Sequence, residues 1–290
     1  MKHTNLHISG LTVRIELYDD YETLKMPQSY QPFESHDKEA APAVTLRVRS
    51  GMESVRVEGE AVACGMNDLG EARLYQSASG YVVRLRPNSV SGFRTMLMNE
   101  DFSAGEVVLP ANDEYARFTI DSMLRILFSQ AVVKHHGFML HSAAVVKDGE
   151  GVLLMGKSGT GKSTHARLWL REFANTWLLN DDNPVVRIAA DGRVWAYGSP
   201  WSGKTPCYRR EGVPVRAFVR LEQAPEDRYE ALKNIDAFVA MLPGVSVITH
   251  SRELYGQVCS TLVETVERAK VGRLRCTATP NAARTLCDSV

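Results

Sequence analysis

In the segment Gly156-Lys157-Ser158-Gly159-Thr160-Gly161-Lys162-Ser163-Thr164, the first eight residues fit the pattern G-x-x-x-x-G-K-[ST]. An apolar run, Gly151-Val152-Leu153-Leu154-Met155, precedes them, and a helical pattern from Ser163 to about Phe173 follows. Such a strand–loop–helix setting suits a phosphate loop. Its glycines let successive N–H groups point inward as an anion nest, and the helix adds the positive end of its dipole. Lys162 is placed to reach the β- and γ-phosphates of a nucleotide, and the Ser163 hydroxyl to ligate Mg²⁺. A second stretch, Gly198 to Thr205, fits the same pattern in the wrong context. Pro200 removes a donor from the would-be nest, and Pro206-Cys207-Tyr208 opens no helix. A loop reaching into the first site is the better reading, with Lys204 as a second cation for phosphate or substrate.

A nucleotide loop needs a carboxylate for its metal. The next apolar run, Trp177-Leu178-Leu179, leads through Asn180 to Asp181 and Asp182. Adjacent carboxylates at a strand end face different ways, so one can hold Mg²⁺ while the other accepts a hydroxyl proton. His141 opens the apolar run before the loop strand. By periodicity alone it is a core or edge histidine. Neither His135 nor His136 reads as a metal ligand, since sequence neighbours diverge on a helix and Gly137 follows them.

The elements that must carry these residues differ between the two halves of the chain. Up to about residue 110 the pattern alternates apolar and polar side chains, at Leu11–Leu17, Val44–Val48, Val55–Val57 and Tyr81–Pro87, with a proline-marked loop over 26–43. From Asp113 or Asn112 the spacing predicts a helix over 114–136. Beyond it, strands alternate with helices. Strands are expected over 141–146, 151–155, 177–179 and 215–221, and helices over 230–242 and 252–269. The expected fold class is therefore α/β, with a β-rich accessory domain over 1–112 and a P-loop domain over 113–290.

The 290 residues carry 34 Lys+Arg and 34 Asp+Glu, and this balance argues against a nucleic-acid coat or a polybasic membrane anchor. Five cysteines without a C-x-x-C pair read as reduced thiols. No apolar h-region opens the sequence and no run approaches 18 apolar residues, so the expected location is the cytoplasm.

The stretch His141–Val186 resembles the catalytic domain of bacterial HPr kinase/phosphorylase, whose fold is shared by ATP-dependent phosphoenolpyruvate carboxykinase. That family also places a histidine at a strand start, then the phosphate loop, then an aspartate pair, with a similar spacing from histidine to loop lysine. The resemblance implies an ATP-dependent kinase acting, with Mg²⁺, on a serine-type hydroxyl of a protein, peptide or small molecule. Lys162 would bind the transferring phosphate and Ser163 the metal, with Asp181 beside it. Asp182 would take the hydroxyl proton, with Asp181 as the alternative base, and His141 would orient that carboxylate. Arg209 and Arg210 join Lys204 as candidate phosphate or substrate contacts. Glu211 and Glu222 are the candidates for the family's metal-binding glutamate, whose signature segment is missing. The alternatives are a nucleotide-binding regulatory protein with little turnover and a carboxykinase-like enzyme. The acceptor, the choice between ATP and GTP, and oligomerisation stay open.

Overall fold

The computed structural model describes residues 1–37, 39–51, 57, 59–67, 70–88 and 92–290. The chain divides into two compact units, Met1–Ala131 and Val132–Val290, each a mixture of helix and strand round one large sheet.

The first unit holds β1 (Lys2–Ile8), β2 (Leu11–Leu17), β3 (Glu34–Ser35), β4 (Val44–Ser50), β5 (Ala63–Asn67), β6 (Gly70–Ser77), β7 (Gly80–Pro87), β8 (Arg94–Asn99) and β9 (Ala104–Leu109). They lie in the order β3-β1-β2-β4-β9-β8-β7-β6-β5. β4 runs parallel to β2 and to β9, and the other pairs are antiparallel. The alternation over 11–17 behaves as its period requires: Leu11, Val13, Ile15 and Leu17 are buried, and the residues between them are not. Ser9 and Gly10, both at positive φ, form the two-residue turn joining β1 to β2. The expected loop over 26–43 contains a 3₁₀ turn, Gln28–Phe33, that buries Tyr30 and Phe33 completely. The strand expected at Val55–Val57 falls mainly on residues outside those described.

Helix α1 (Ala116–Ala131) is shorter at both ends than the predicted 114–136 and continues as a 3₁₀ turn, Val132–His135. Asp113 accepts the Tyr115 N–H at 3.0 Å at its start. The buried stripe Ile120, Met123, Leu124 and Leu127 explains where the helix goes. It packs on β4, β7, β8 and β9, with Leu127 over Gly105. The helix groups with the first unit, on the chain segment that the sequence reading takes as the domain junction.

The second unit contains β10 (Gly137–Met139), β11 (Ser142–Lys147), β12 (Glu150–Met155), α2 (Lys162–Glu172), β13 (Thr176–Asn180), β14 (Val185–Ile188), β15 (Val194–Tyr197), β16 (Gly212–Gln223), β17 (Arg228–Leu232), α3 (Asn234–Met241), α4 (Arg252–Arg268), β18 (Lys270–Cys276) and α5 (Pro280–Ser289). The path is β10-β14-β15-β16-β12-β11-β13, with β18 parallel to β16 and β17 antiparallel on β18. β16 joins the two halves of the sheet, pairing with β15 at its start and with β12 and β18 further on. Ala143, Val145, Val152, Leu154, Val219 and Leu274 form a core with Ala166 and Trp169 of α2 and Leu286 of α5.

The helix expected over 230–242 begins as a strand instead. Glu230 stands opposite Arg273 and Tyr229 opposite Leu274, so pairing with β18 overrides local helix preference until Lys233, and α3 starts at Asn234. α4 lies close to the predicted 252–269, and its Ser251 cap accepts the Leu254 N–H at 3.3 Å.

β11 is antiparallel to both β12 and β13, while β12 and β16 are parallel. One edge of the sheet thus collects the start of β11, with His141 before it, and the C-terminal ends of β12, β13 and β16. Ligands of open α/β sheets bind at such an edge.

Candidate active site

At the end of β12 three glycines take left-handed conformations that side chains disfavour: Gly156 at φ 152°, Gly159 at 80° and Gly161 at 104°, the last directly before α2. Thr160 closes the loop on itself, its N–H and its Oγ1 both bonding the Lys157 carbonyl, at 3.2 and 2.7 Å. From β16, Gln223 Nε2 donates to the Gly159 carbonyl at 3.3 Å. Gly156–Thr160 and Arg220–Gln223 together line a cavity of about 430 Å³.

Lys162 opens α2 and is only 8% exposed. Its Nζ lies 2.9 Å from the Gly156 carbonyl, 3.2 Å from the Lys157 carbonyl and 3.0 Å from His141 Nε2. Burial lowers its pKa from the usual lysine value, against the attraction of Asp182 and Asp181. A charged lysine has no lone pair to offer, so His141 Nε2 must be the acceptor. The ring hydrogen then sits on Nδ1, which lies 2.9 Å from Asp182 Oδ1 and donates to it. The His141 backbone is fixed as well: its N–H donates to the Gly244 carbonyl at 2.7 Å, and the next N–H, of Ser142, to the Asp182 carbonyl at 3.0 Å.

The aspartates occupy unlike places. Asp182 is half-buried beside the imidazole. Asp181 is 4% exposed; its Oδ2 accepts the Thr205 N–H at 3.0 Å, and its Oδ1 is buried without a hydrogen-bond partner. Asn180, fully buried, shapes the turn that separates them. Its Oδ1 accepts the N–H groups of Asp182 and Asn183 at 2.9 and 2.8 Å, and its amide donates to the Trp201 carbonyl at 3.1 Å.

The second glycine stretch does come to the acid pair. A Cβ on Gly203 would stand 3.2 Å from Asp181 Oδ2 and 3.3 Å from Asp182 Cβ. Lys204, exposed, lies between that glycine and Thr205. Arg209 turns elsewhere, its guanidinium 4.9 Å from the centre of the Trp177 ring and 3.6 Å from Glu211. Arg210 is exposed. Glu222 lines the loop cavity, held by Arg273 at 3.1 Å and Arg275 at 3.6 Å. Ser163 and Thr164 are half-buried in the first turn of α2, and Thr164 Oγ1 accepts from Arg167 at 3.3 Å. Among the described residues no group of three or more His, Cys, Asp or Glu could hold a metal by itself.

Sequence reasoning missed Asn180, Asn183, Ser199 and Gln223. The available signal was an asparagine on each side of the acid pair, the residue type that ties turns through its own side chain.

Residues 106–270 match the family model described as SynChlorMet cassette protein ScmC. The chain belongs to the ScmC family. That match spans the end of the first unit and all of the second up to the start of β18, so the site lies wholly inside the ScmC region. No curated protein matches this ScmC-family chain. Among solved structures it is similar to the HPr(Ser) kinase/phosphatase from Coxiella burnetii, at 11% identity over 52% of this chain and 95% of that one, with a TM-score of 0.31. So loose a likeness bears on neither substrate nor reaction.

Proposed function

We propose that the second unit is a P-loop domain that binds Mg-ATP and transfers the γ-phosphoryl group to a serine-type hydroxyl of a protein, peptide or small molecule. The observation that carries this reading is the unbroken run from Lys162 through His141 to Asp182, with contacts of 3.0 and 2.9 Å, beside a glycine loop at a helix start. A regulatory nucleotide binder needs Lys162 and Ser163 but has no use for a histidine-oriented carboxylate.

The residues suit the ligands. The glycine loop borders a cavity and leads into a helix start, and Lys162, at that helix start though not in the cavity lining, contributes a desolvated positive charge. Asp181 Oδ1, a buried acceptor with no partner, is what a cation would satisfy, and Ser163 supplies a hydroxyl in the first turn of α2. Nucleotide sites hold Mg²⁺ through one or two side chains plus the phosphates, so no larger cluster is required. When bound, Mg²⁺ would neutralise charge on the phosphate oxygens.

Asp182 would accept the hydroxyl proton as the acceptor oxygen bonds to phosphorus and the bond to the ADP oxygen breaks. His141 would hold the carboxylate, and Lys204, on the loop clamped to the acid pair, would face the incoming anion. Catalysis of this kind is mostly positioning and charge stabilisation. The test is equilibrium binding of Mg-ATP together with ADP release. Lys162→Ala should weaken binding and lower turnover by ~10²–10³. Equal binding and turnover in the variant would reject the site.

A further inference from the structure

We propose that Asn183 is the positioning residue of the Asp182 carboxylate, fixing its plane by holding the oxygen that His141 does not reach. The inference deepens the kinase reading and rests on it for the reaction, though not for the geometry.

A carboxylate held through one oxygen still turns about its Cβ–Cγ bond, because that torsion is broad. His141 Nδ1 holds Oδ1 at 2.9 Å. Asn183 Nδ2 donates to Oδ2, and since an ionised carboxylate only accepts, the NH₂ end of the amide must be the one facing it. Two donors on opposite oxygens set the plane.

The clamp is itself clamped. Asn183 is 6% exposed. Its N–H donates to Asn180 Oδ1 at 2.8 Å, and its carbonyl accepts the Ser199 hydroxyl at 2.7 Å. Ser199 is fully buried, and Asn180 donates to the Ser199 and Trp201 carbonyls at 3.3 and 3.1 Å. Asn183 therefore ties the end of β13 to the second glycine stretch at the one carboxylate that meets the imidazole.

The experiment uses the full chain with ¹⁵N-labelled histidine. Asn183→Leu keeps the volume and removes the donor, and Ser199→Ala loosens the clamp one step further out. In the wild type, the His141 Nδ1–H should give a downfield proton signal protected from exchange. In Asn183→Leu that signal should broaden or vanish, and Ser199→Ala should weaken it less. ADP release from Mg-ATP, with water and serine-containing peptides as acceptors, should show a kcat loss of ~10–10² with KM for Mg-ATP unchanged, the scale of a misplaced catalytic group. An unaltered His141 signal in a folded Asn183→Leu protein overturns the proposal, as does a loss confined to KM. Should Asn183→Leu fail to fold, an unaltered signal in Ser199→Ala overturns it equally. If the signal changes as expected while no protein, wild type included, releases ADP, the clamp stands and the kinase reading falls.

Discussion

Asp181 and Asp182 are chemically identical neighbours in unlike surroundings, and in the proposed reaction that difference would divide their labour. Asp182 is paired with an imidazole and an amide; Asp181 is buried, with one oxygen on a backbone N–H and the other on nothing. Asp182→Asn should keep Mg-ATP affinity and lose ~10²–10⁴ in transfer, as removal of a positioned base does. Asp181→Asn should raise the Mg²⁺ concentration needed for half-maximal activity. Mg²⁺ titrations of ADP release separate the two; exchanged phenotypes would swap the roles. At this scale the sequence was informative where a residue type has few alternative uses. A lysine in a phosphate-loop pattern and two carboxylates at a strand end announce themselves. His141 did not, since a histidine at a strand start is ordinarily structural, and the resemblance drew attention to it. Asn183 was silent because its role depends on a buried serine 16 positions away.

Among the elements, α2 does two jobs. Its first turn presents Lys162 to the site, and one turn on it buries His165 against α5. The His165 ring is 3% exposed, and burial pushes its pKa down to about 4, against weaker opposing effects of the Ala282 backbone and Asp227. The unfolded chain takes up this proton near the ordinary histidine value of ~6.5, before the folded chain does. Stability is therefore full above that value and falls as pH drops toward 4, by about 3 kcal/mol in all. Denaturant melts between pH 7 and pH 4.5 should show that slope, and His165→Leu should flatten it. An unchanged slope would mean the ring is not the group taking up the proton. The same scale shows where periodicity stops working. Residues 228–232 carry no strand signal of their own; what makes them a strand is β18, more than 35 residues further on. The predicted helix at 252–269 fared better because its buried stripe Leu254, Val258 and Leu262 and its serine cap are local.

For the molecule as a whole, the site residues all lie in the second unit, from His141 to Thr205, with the loop cavity closed by β16. No described helix is long and apolar enough to cross a membrane. The mixed α/β class and the strand-rich first half were legible from alternation and turn residues, while the order of the strands, set by long-range pairing, was not. Binding to the folded chain must stabilise it. At Mg-ATP a hundredfold above Kd the gain is about 2.7 kcal/mol, which a thermal melt should show as a raised midpoint. Lys162→Ala should lose that shift, and an equal shift in both proteins would place the ligand elsewhere.

The most direct measurement of the account is the fate of the γ-phosphate. The purified chain would be incubated with γ-labelled ATP, Mg²⁺ and a panel of serine-containing peptides and small hydroxyl compounds. Label should appear on an acceptor as an acid-stable phosphoester, formed with ADP and lost in Asp182→Asn. Label that never leaves ATP on any acceptor despite tight binding, or transfer that Asp182→Asn performs as well as the wild type, would contradict the kinase reading.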